Sequence, residues 1–294
     1  MNLKIDLQDF YFNPEQPGTV TELPNAVDPL YDGKKAYRKL LAEYKDEIKD
    51  LQNMMFAHDR YSMLLIFQGM DTAGKGGAIR HVMSGISAAG VQVSAFKRPS
   101  SLELDHDWMW RSTTRLPERG RIGIFDRSYY EEVLVVKVHP SILHDVQRIP
   151  QEHTRTEASV WESRYGDIRN FEDFLHRNGT QVVKFFINIS KDEQKKRLLD
   201  RIDRPEKNWK MSLSDVKERG HWDAYMQAYQ DLLAATSRPQ APWYVIPGND
   251  KKNARLIISQ IVLHHLRGFE MHYPQPTDEF RQKLLGVRKA LENS

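Results

Sequence analysis

The 294-residue sequence predicts a three-layer α/β protein, with helices on both faces of a mostly parallel, five-stranded sheet. Two observations lead to this class. Short apolar runs alternate along the chain with longer segments in which apolar residues recur every three or four positions. The first apolar run also ends in a glycine-rich turn that precedes a helical segment, and strand, turn and helix in that order begin a βαβ unit.

Five apolar runs have the length of buried strands. They lie at 63–67, 91–96, 121–125, 181–188 and 243–246. Helical segments are indicated by apolar periodicity and by capping residues at 34–58, 102–115, 129–138, 221–236 and 252–266. A further helix carries apolar residues from Trp161 to Leu175 and ends at Asn178.

The chain divides into three parts. Residues 1–32, rich in proline, asparagine and aspartate, are expected to form an extended arm, 33–270 the α/β domain, and 271–294 a tail helix. Within the domain, residues from about 197 to 220 are highly charged and nearly without core positions, which predicts a mobile helical lid.

Composition excludes several classes of protein. With 43 basic and 40 acidic residues the net charge is only +3, so we expect no nucleic-acid partner, and any anion site must be local. The absence of cysteine excludes disulfides, thiolate metal sites and cysteine nucleophiles. No signal pattern or membrane-length apolar run is present, which predicts a soluble, cytoplasmic protein without a membrane partner.

The segment 69–77 reads GMDTAGKGG and matches the phosphate-binding pattern G-x-x-x-x-G-K at Gly69, Gly74 and Lys75. Glycines allow successive backbone N–H groups to face an anion, the following helix adds its positive end, and the lysine adds a charge. The alternative is a tight strand-to-helix turn with a surface lysine. Its position between an apolar strand and a helix favours phosphate.

Gly76 stands where the usual motif has a Ser or Thr that binds Mg²⁺. The metal must therefore find other oxygens. Asp126, at the end of a strand, is the first candidate and Asp71, inside the loop, the second. The alternatives are a helix N-cap for Asp126 and a loop-bracing role for Asp71.

Phosphoryl transfer depends on cations around the transferred group, and this chain has two basic clusters. Arg127 directly follows Asp126 and is expected to point at the same site. Lys97 and Arg111 lie between the second and third strands, and Arg197, Arg201, Lys207 and Lys210 belong to the predicted lid. Arg197 and Arg201 share a helix face with Arg204, which predicts a phosphate clamp, although most such charges are solvated surface.

Several motifs together resemble the type 2 polyphosphate kinases. They are GMDTAGKGG at 69–77, FKRPS at 96–100, FDRSYYEEVLV at 125–135, PEKNWK at 205–210 and APWYVIP at 241–247. The resemblance covers roughly 34–276 and implies a P-loop kinase core with a helical lid, Mg²⁺ dependence and a homo-oligomer, a dimer or tetramer. It also implies reversible transfer of a terminal phosphoryl group from inorganic polyphosphate to a nucleotide.

The resemblance assigns roles to individual residues. Lys75 would hold the transferred phosphoryl, Asp71 and Asp126 would serve Mg²⁺ and the acceptor phosphates, and Arg127 would neutralise developing charge. Arg197, Arg201, Lys207 and Lys210 would act from the lid. AMP-using members often carry Asn-Arg-Ser-His where this chain has DRSY at 126–129, which favours ADP as acceptor.

We therefore predict an enzyme that makes ATP from ADP and polyphosphate, with use of AMP or guanine nucleotides left open. The first alternative is an ATP-dependent nucleoside monophosphate kinase of the thymidylate kinase type, which shares the fold and an arginine-bearing lid. The second is a non-catalytic nucleotide-binding module. Polyphosphate chain length, physiological direction and oligomer count stay open at this stage.

Overall fold

The computed structural model describes residues 5–154 and 156–294. It contains a five-stranded sheet in the order β2-β3-β1-β4-β5, and every neighbouring pair is parallel. The strands are β1 (Ser62–Gln68), β2 (Val91–Ala95), β3 (Ile122–Asp126), β4 (Thr180–Asn188) and β5 (Trp243–Pro247). The predicted parallel sheet is confirmed.

Helices cover both faces of the sheet. The longer ones are α1 (Gly33–His58), α2 (Lys75–Val82), α6 (Glu157–Arg177), α7 (Lys191–Asp203), α9 (Leu213–Gly220), α10 (Trp222–Thr236), α11 (Lys251–Arg267) and α12 (Asp278–Glu292); the four-residue ones are α3 (Ser101–Leu104), α4 (Trp110–Thr113), α5 (Val135–Val138) and α8 (Pro205–Asn208). Helices α1, α2 and α11 pack together in one layer, and α6 packs against β4 and α10 in the other. Strand β1 is buried along its whole length, as a central strand between two helix layers must be.

The register brings the carboxyl ends of three strands together. Phe67 on β1 pairs with Asp126 on β3 and with Phe185 on β4. The glycine-rich loop after β1 therefore lies beside the end of β3, at the edge where open parallel sheets bind ligands.

Two predicted helices differ from the structure. Residues 102–115 form two short helices, because the Asp107 carboxylate accepts hydrogen bonds from the amides of Met109 and Trp110 and begins a new turn. Residues 129–138 form a 3₁₀ turn, Tyr129–Val133, followed by α5. In that turn Tyr129, Tyr130, Glu132 and Val133 are buried. Four buried side chains among five consecutive residues do not fit the single apolar face of an amphipathic helix.

The arm is hydrogen-bonded to the domain, whereas the tail helix is exposed. The amide of Phe12 donates to the carbonyl of Trp243 at 2.9 Å, Tyr11 bridges Tyr244 in antiparallel orientation, and the Asn253 side chain binds two arm carbonyls. Helix α12, by contrast, buries none of its residues. No helix within 5–154 or 156–294 is long and apolar enough to cross a membrane.

Candidate active site

Two positions of the loop between β1 and α2 require glycine. Gly69 has φ 152°, and a Cβ there would lie 2.8 Å from the carbonyl oxygen of Ile187. Gly74 has φ 107° and caps α2 without a side chain to bind the helix N–H groups. The first N–H groups of α2 are therefore left for an anion.

The Thr72 hydroxyl adds a second open group to the loop. Its oxygen is buried and has no hydrogen-bond partner in the described part of the chain. A buried hydroxyl without a partner costs free energy, which a ligand oxygen would offset. This orphaned group fits an oxyanion bound at the loop.

Lys75 closes the loop from its far end. Its ammonium donates to the carbonyls of Gly69 at 2.6 Å and Met70 at 3.4 Å, and the residue is 9% exposed. Burial and the nearby Arg127 guanidinium lower its pKa, whereas Asp71 and Asp126 raise it. The ammonium thus stands among the other predicted catalytic groups.

Asp126 ends β3 beside the start of α2. A Cβ on Gly76 would lie 3.6 Å from Oδ2 of Asp126. None of the described residues donates a hydrogen bond to this carboxylate or forms an ion pair with it. It is therefore free to bind a cation.

Arg127 stands between two carboxylates. One terminal nitrogen is 2.9 Å from Oδ1 of Asp71, and the other is 3.5 Å from Oε2 of Glu131. Glu131 contributes most to raising the pKa of Arg127, and burial raises the pKa of Glu131 itself. The two carboxylates fix the direction of the guanidinium. Sequence reasoning gave Glu131 no role, although it is the fourth residue after Arg127.

Asp71, Lys75, Asp126 and Arg127 line one cavity of about 570 Å³. Its walls include most of the predicted site residues, namely Asp71, Gly74, Lys75, Gly76, Asp126, Arg127, Arg197, Arg201, Lys207 and Lys210. Three cations that the sequence analysis missed also line it: Arg80 on α2 and Lys251 and Arg255 on α11. The i,i+4 spacing of Lys251 and Arg255 just after the last strand was the available signal. Gly69 borders a small adjoining cavity with Glu131 and Tyr229.

Arg197 has a different environment from the phosphate clamp that its spacing predicted. All five of its N–H donors are bonded within the chain: Nε to Glu193, one terminal nitrogen to the carbonyls of Thr72 and Ala73, and the other to those of Gly248 and Asn249. The residue is 6% exposed. Its guanidinium therefore braces the glycine-rich loop against the turn after β5.

The lid cations are held less tightly. Arg201 lies 3.3 Å from Asp215, Lys207 pairs with Asp200, and the exposed Lys210 lies over the ring of Trp209. Several apolar lid side chains are also exposed, Trp209 by 78%. This surface has few contacts with the domain core, which is typical of a segment that moves.

Lys97 and Arg111 are not brought into the cavity. The Arg111 guanidinium donates to the carbonyl of Lys97 at 2.7 Å, lies 3.4 Å from Glu103 and stacks on Phe96. Lys97 is exposed. As placed, Arg111 stabilises the segment after β2, and neither side chain lines the cavity.

A glycine-rich loop, a buried lysine, a strand-end carboxylate and a paired arginine at one parallel-sheet edge define a P-loop phosphotransferase. The family model "Polyphosphate kinase 2" matches residues 31–274. The chain therefore belongs to the polyphosphate kinase 2 family. This finding confirms the predicted resemblance, the P-loop kinase-like fold and the enzyme class, and disfavours a monophosphate kinase.

Individual proteins are similar over nearly the whole chain. The ADP-polyphosphate phosphotransferase of Rhodopseudomonas palustris is 49% identical, with 98% of this chain and 99% of that protein covered. The AMP/ADP-polyphosphate phosphotransferase of Meiothermus ruber is 40% identical, with coverage of 86% and 90%. The crystal structure of polyphosphate kinase 2 from Arthrobacter aurescens TC1 superposes with a TM-score of 0.81 at 38% identity, covering 95% of this chain and 98% of that one.

Proposed function

We propose that this enzyme transfers the terminal phosphoryl group of inorganic polyphosphate to ADP and so forms ATP, in a Mg²⁺-dependent and reversible reaction. A terminal oxygen of the ADP β-phosphate attacks the terminal phosphorus, and the bond to the next phosphate breaks. The shortened polyphosphate leaves with the bond electrons. The ADP oxygen is already ionised at neutral pH, so no base is needed.

The basic wall beyond Lys75 carries this proposal. Arg80, Lys251 and Arg255 extend the cation-lined cavity past the glycine-rich loop toward the start of α11. No aromatic side chain lines that cavity within the described residues, and its apolar lining consists of small residues and Ile187. A donor nucleoside would need a surface for its base, whereas a chain of phosphates needs only cations.

Arg127 and Lys75 stabilise the charge that develops on the transferred group. Lys75 contacts it from the loop, the N–H groups at the start of α2 bind its oxygens, and Arg127 approaches from the end of β3. Asp71 and Glu131 keep the guanidinium directed at this point. Arg197 acts indirectly, since it only fixes the loop.

The residues present fit a magnesium ion that relies on few protein ligands. The described residues contain no group of three or more His, Cys, Asp or Glu that could enclose a metal. Asp126 offers a free carboxylate, and Asp71 retains Oδ2, since its other oxygen binds Arg127. Mg²⁺ commonly takes one or two carboxylates together with phosphates and water, and when bound it would neutralise phosphate charge.

ADP is the acceptor that the chain itself favours. Asp126 stands where AMP-using members of the family often carry Asn, and the relative with 49% identity is named as acting on ADP. The relative from Meiothermus ruber is named for both AMP and ADP. Slower use of AMP is therefore compatible with the proposal.

The test removes two exposed cations from this basic wall in the double variant Arg80→Ala with Lys251→Ala. The KM for long-chain polyphosphate is expected to rise about two- to fivefold per charge, the scale of exposed ion pairs, while the KM for ADP stays nearly constant. Lys39→Ala, an exposed cation on α1 outside the cavity, is the matched control. An unchanged KM for polyphosphate in the double variant would contradict the donor assignment.

A further inference from the structure

The chain turns sharply where β3 ends, and that turn carries Arg127. Arg127 has φ 66°, in the left-handed region that residues other than glycine rarely adopt. Its amide donates to the carbonyl of Phe67 at 3.1 Å, and the next hydroxyl, Ser128 Oγ, accepts from Gln68 at 3.2 Å. Such a backbone persists only where its surroundings hold it. The contacts that follow therefore decide where the guanidinium stands.

Behind the turn lies an ion pair without access to water. Glu172 on α6 and Lys184 on β4 are both 0% exposed, and their charged atoms are 2.6 Å apart. Lys184 also donates to the carbonyl of Thr236 at 2.9 Å. Burial lowers the pKa of Lys184 to about 8, against the opposing effect of Glu172. The carboxylate of Glu172 therefore favours the charged form of Lys184.

Two consecutive tyrosines attach the turn to this pair. The hydroxyls of Tyr129 and Tyr130 each lie 2.8 Å from Oε1 of Glu172. Lys184 in turn donates to the Tyr130 hydroxyl at 3.0 Å. Both rings are buried, at 1% and 0% exposure. Two of the three residues after Arg127 are thus held by one buried charge.

The next residue faces the opposite way. Glu131 lies 3.5 Å from Arg127 and borders the small cavity beside the glycine-rich loop. The turn therefore has a buried side, fixed by Tyr129 and Tyr130, and an active-site side, where Arg127 and Glu131 meet.

Stability alone does not account for an ion pair at this depth. Removing both charges from water is costly, and apolar pairs of similar volume are often equally or more stabilising. An apolar pair, however, would leave the Tyr129 hydroxyl without a partner and the Tyr130 hydroxyl with only Thr236 Oγ1, at 3.0 Å. We propose that Glu172 and Lys184 are positioning residues which, through Tyr129 and Tyr130, hold Arg127 toward the transferred phosphoryl group. This inference rests on the role proposed above for Arg127.

The test is a double-mutant cycle between the buried pair and Arg127. Glu172→Leu with Lys184→Met is expected to fold with a lowered melting temperature, because the buried Tyr129 hydroxyl loses its partner, so activity is measured well below that temperature. Its kcat for ATP synthesis should fall at least about tenfold, with the KM for ADP nearly unchanged, because Arg127 acts on the transition state. In an Arg127→Ala background the same two substitutions should lower the residual rate by less than about twofold.

Asp173→Asn is the matched control. Asp173 is the neighbour of Glu172 and forms an ion pair with Arg238, at 2.6 Å, that does not contact the turn. Its substitution should leave kcat unchanged. A folded Leu/Met variant with normal kcat, or an equal fall in both backgrounds, would overturn the positioning role.

If the Leu/Met variant does not fold, Tyr129→Phe with Tyr130→Phe decides the question, since it removes both hydroxyls and keeps both rings. We expect a kcat loss of about fivefold that disappears in the Arg127→Ala background, and a normal kcat would overturn the proposal. A wild-type enzyme that cannot use polyphosphate and ADP contradicts the proposed function. An active wild type with independent effects contradicts only the positioning role.

Discussion

Two groups of cations surround the same cavity, and they differ in what their N–H donors bind. Arg197 is buried and has all five donors on a carboxylate and carbonyls of its own chain. Arg80, Lys210 and Lys251 are exposed and face the cavity from α2, the lid and α11. Both groups place positive charge near the phosphate site, but only the exposed cations have N–H donors left for a substrate.

The difference separates framework from substrate binding. Removing a buried guanidinium whose donors are all bonded strongly destabilises the fold. Exposed cations, in contrast, contribute little to its stability. Substitutions in the first group should therefore lower the free energy of unfolding together with activity. Substitutions in the second should change substrate affinity alone.

The largest effect is expected at Asp126, because its carboxylate has no partner among the described residues and because we propose that it binds the metal and the substrate. Asp126→Ala should abolish turnover while the melting temperature stays close to normal. Asp126→Asn should retain a little activity with a raised Mg²⁺ requirement, because its amide oxygen is a weaker ligand. Activity titrated against Mg²⁺ and thermal unfolding are the measurements, and full activity of Asp126→Ala at low Mg²⁺ would contradict the assignment.

Gly76→Ser provides a companion to that experiment. The Cβ of a side chain at position 76 would lie 3.6 Å from Oδ2 of Asp126. The new hydroxyl should donate a hydrogen bond to that carboxylate and should not become a ligand of Mg²⁺. We expect no decrease in the Mg²⁺ requirement, and a clear decrease would show that the usual P-loop ligand can be restored here.

Lys75→Ala should have the next largest effect. Lys75 shares features of both groups, since two of its hydrogen bonds go to loop carbonyls while it lines the cavity. We expect kcat to fall by about two orders of magnitude or more, the scale for losing one charge-stabilising donor. Steady-state kinetics with saturating ADP measure this, and a near-normal rate would make the loop merely structural.

Arg197→Lys should reduce both stability and activity. Lysine keeps the charge but cannot bridge the carbonyls on two segments, and hydrogen bonds to charged groups contribute about 1.5–3 kcal/mol each. We expect a loss of about 2–3 kcal/mol in the free energy of unfolding in urea, together with slower turnover. Arg204→Lys, at the half-exposed extended residue that follows the end of α7, is the control and should change neither. Unchanged stability with weakened polyphosphate binding would move Arg197 into the second group.

Among the substitutions expected to change activity, Lys210→Ala should have the smallest effect. It should raise the KM for polyphosphate by about two- to fivefold without a change in melting temperature. The increase should shrink as salt rises, because screening weakens exposed charges. A KM for polyphosphate that is flat from low to high salt, in both wild type and variant, would show that the lid cations are ordinary surface.

The sequence predicts the sheet better than its connections. A parallel strand buried on both faces is a short apolar run whatever its neighbours, and this describes β1, β3, β4 and β5. The edge strand β2 has no buried residue, but all five strands lie within one or two residues of their predicted bounds. The turn after Arg127 was mistaken for a helix, since its shape depends on Glu172 and Lys184, which are about 50 residues away. Contacts between residues so far apart in the chain produce no local sequence pattern.

The site divides in the same way. Lys75 and Asp126 follow from a loop motif and a strand end, both local features. The roles of Arg197 and Arg255 depend on which elements meet in space, and the partners of Arg197 are mostly backbone carbonyls that carry no residue signature. Basic residues can therefore be found in a sequence, but their division into framework and substrate cations cannot.

One assay tests the central claim most directly. Purified enzyme with Mg²⁺ and ADP is given long-chain polyphosphate, and in parallel ATP is offered as donor with a nucleoside monophosphate as acceptor. We predict that ATP forms from ADP with polyphosphate and that turnover with ATP and the monophosphate is slow or absent. Rapid turnover with ATP and the monophosphate, and none with polyphosphate, would contradict the account.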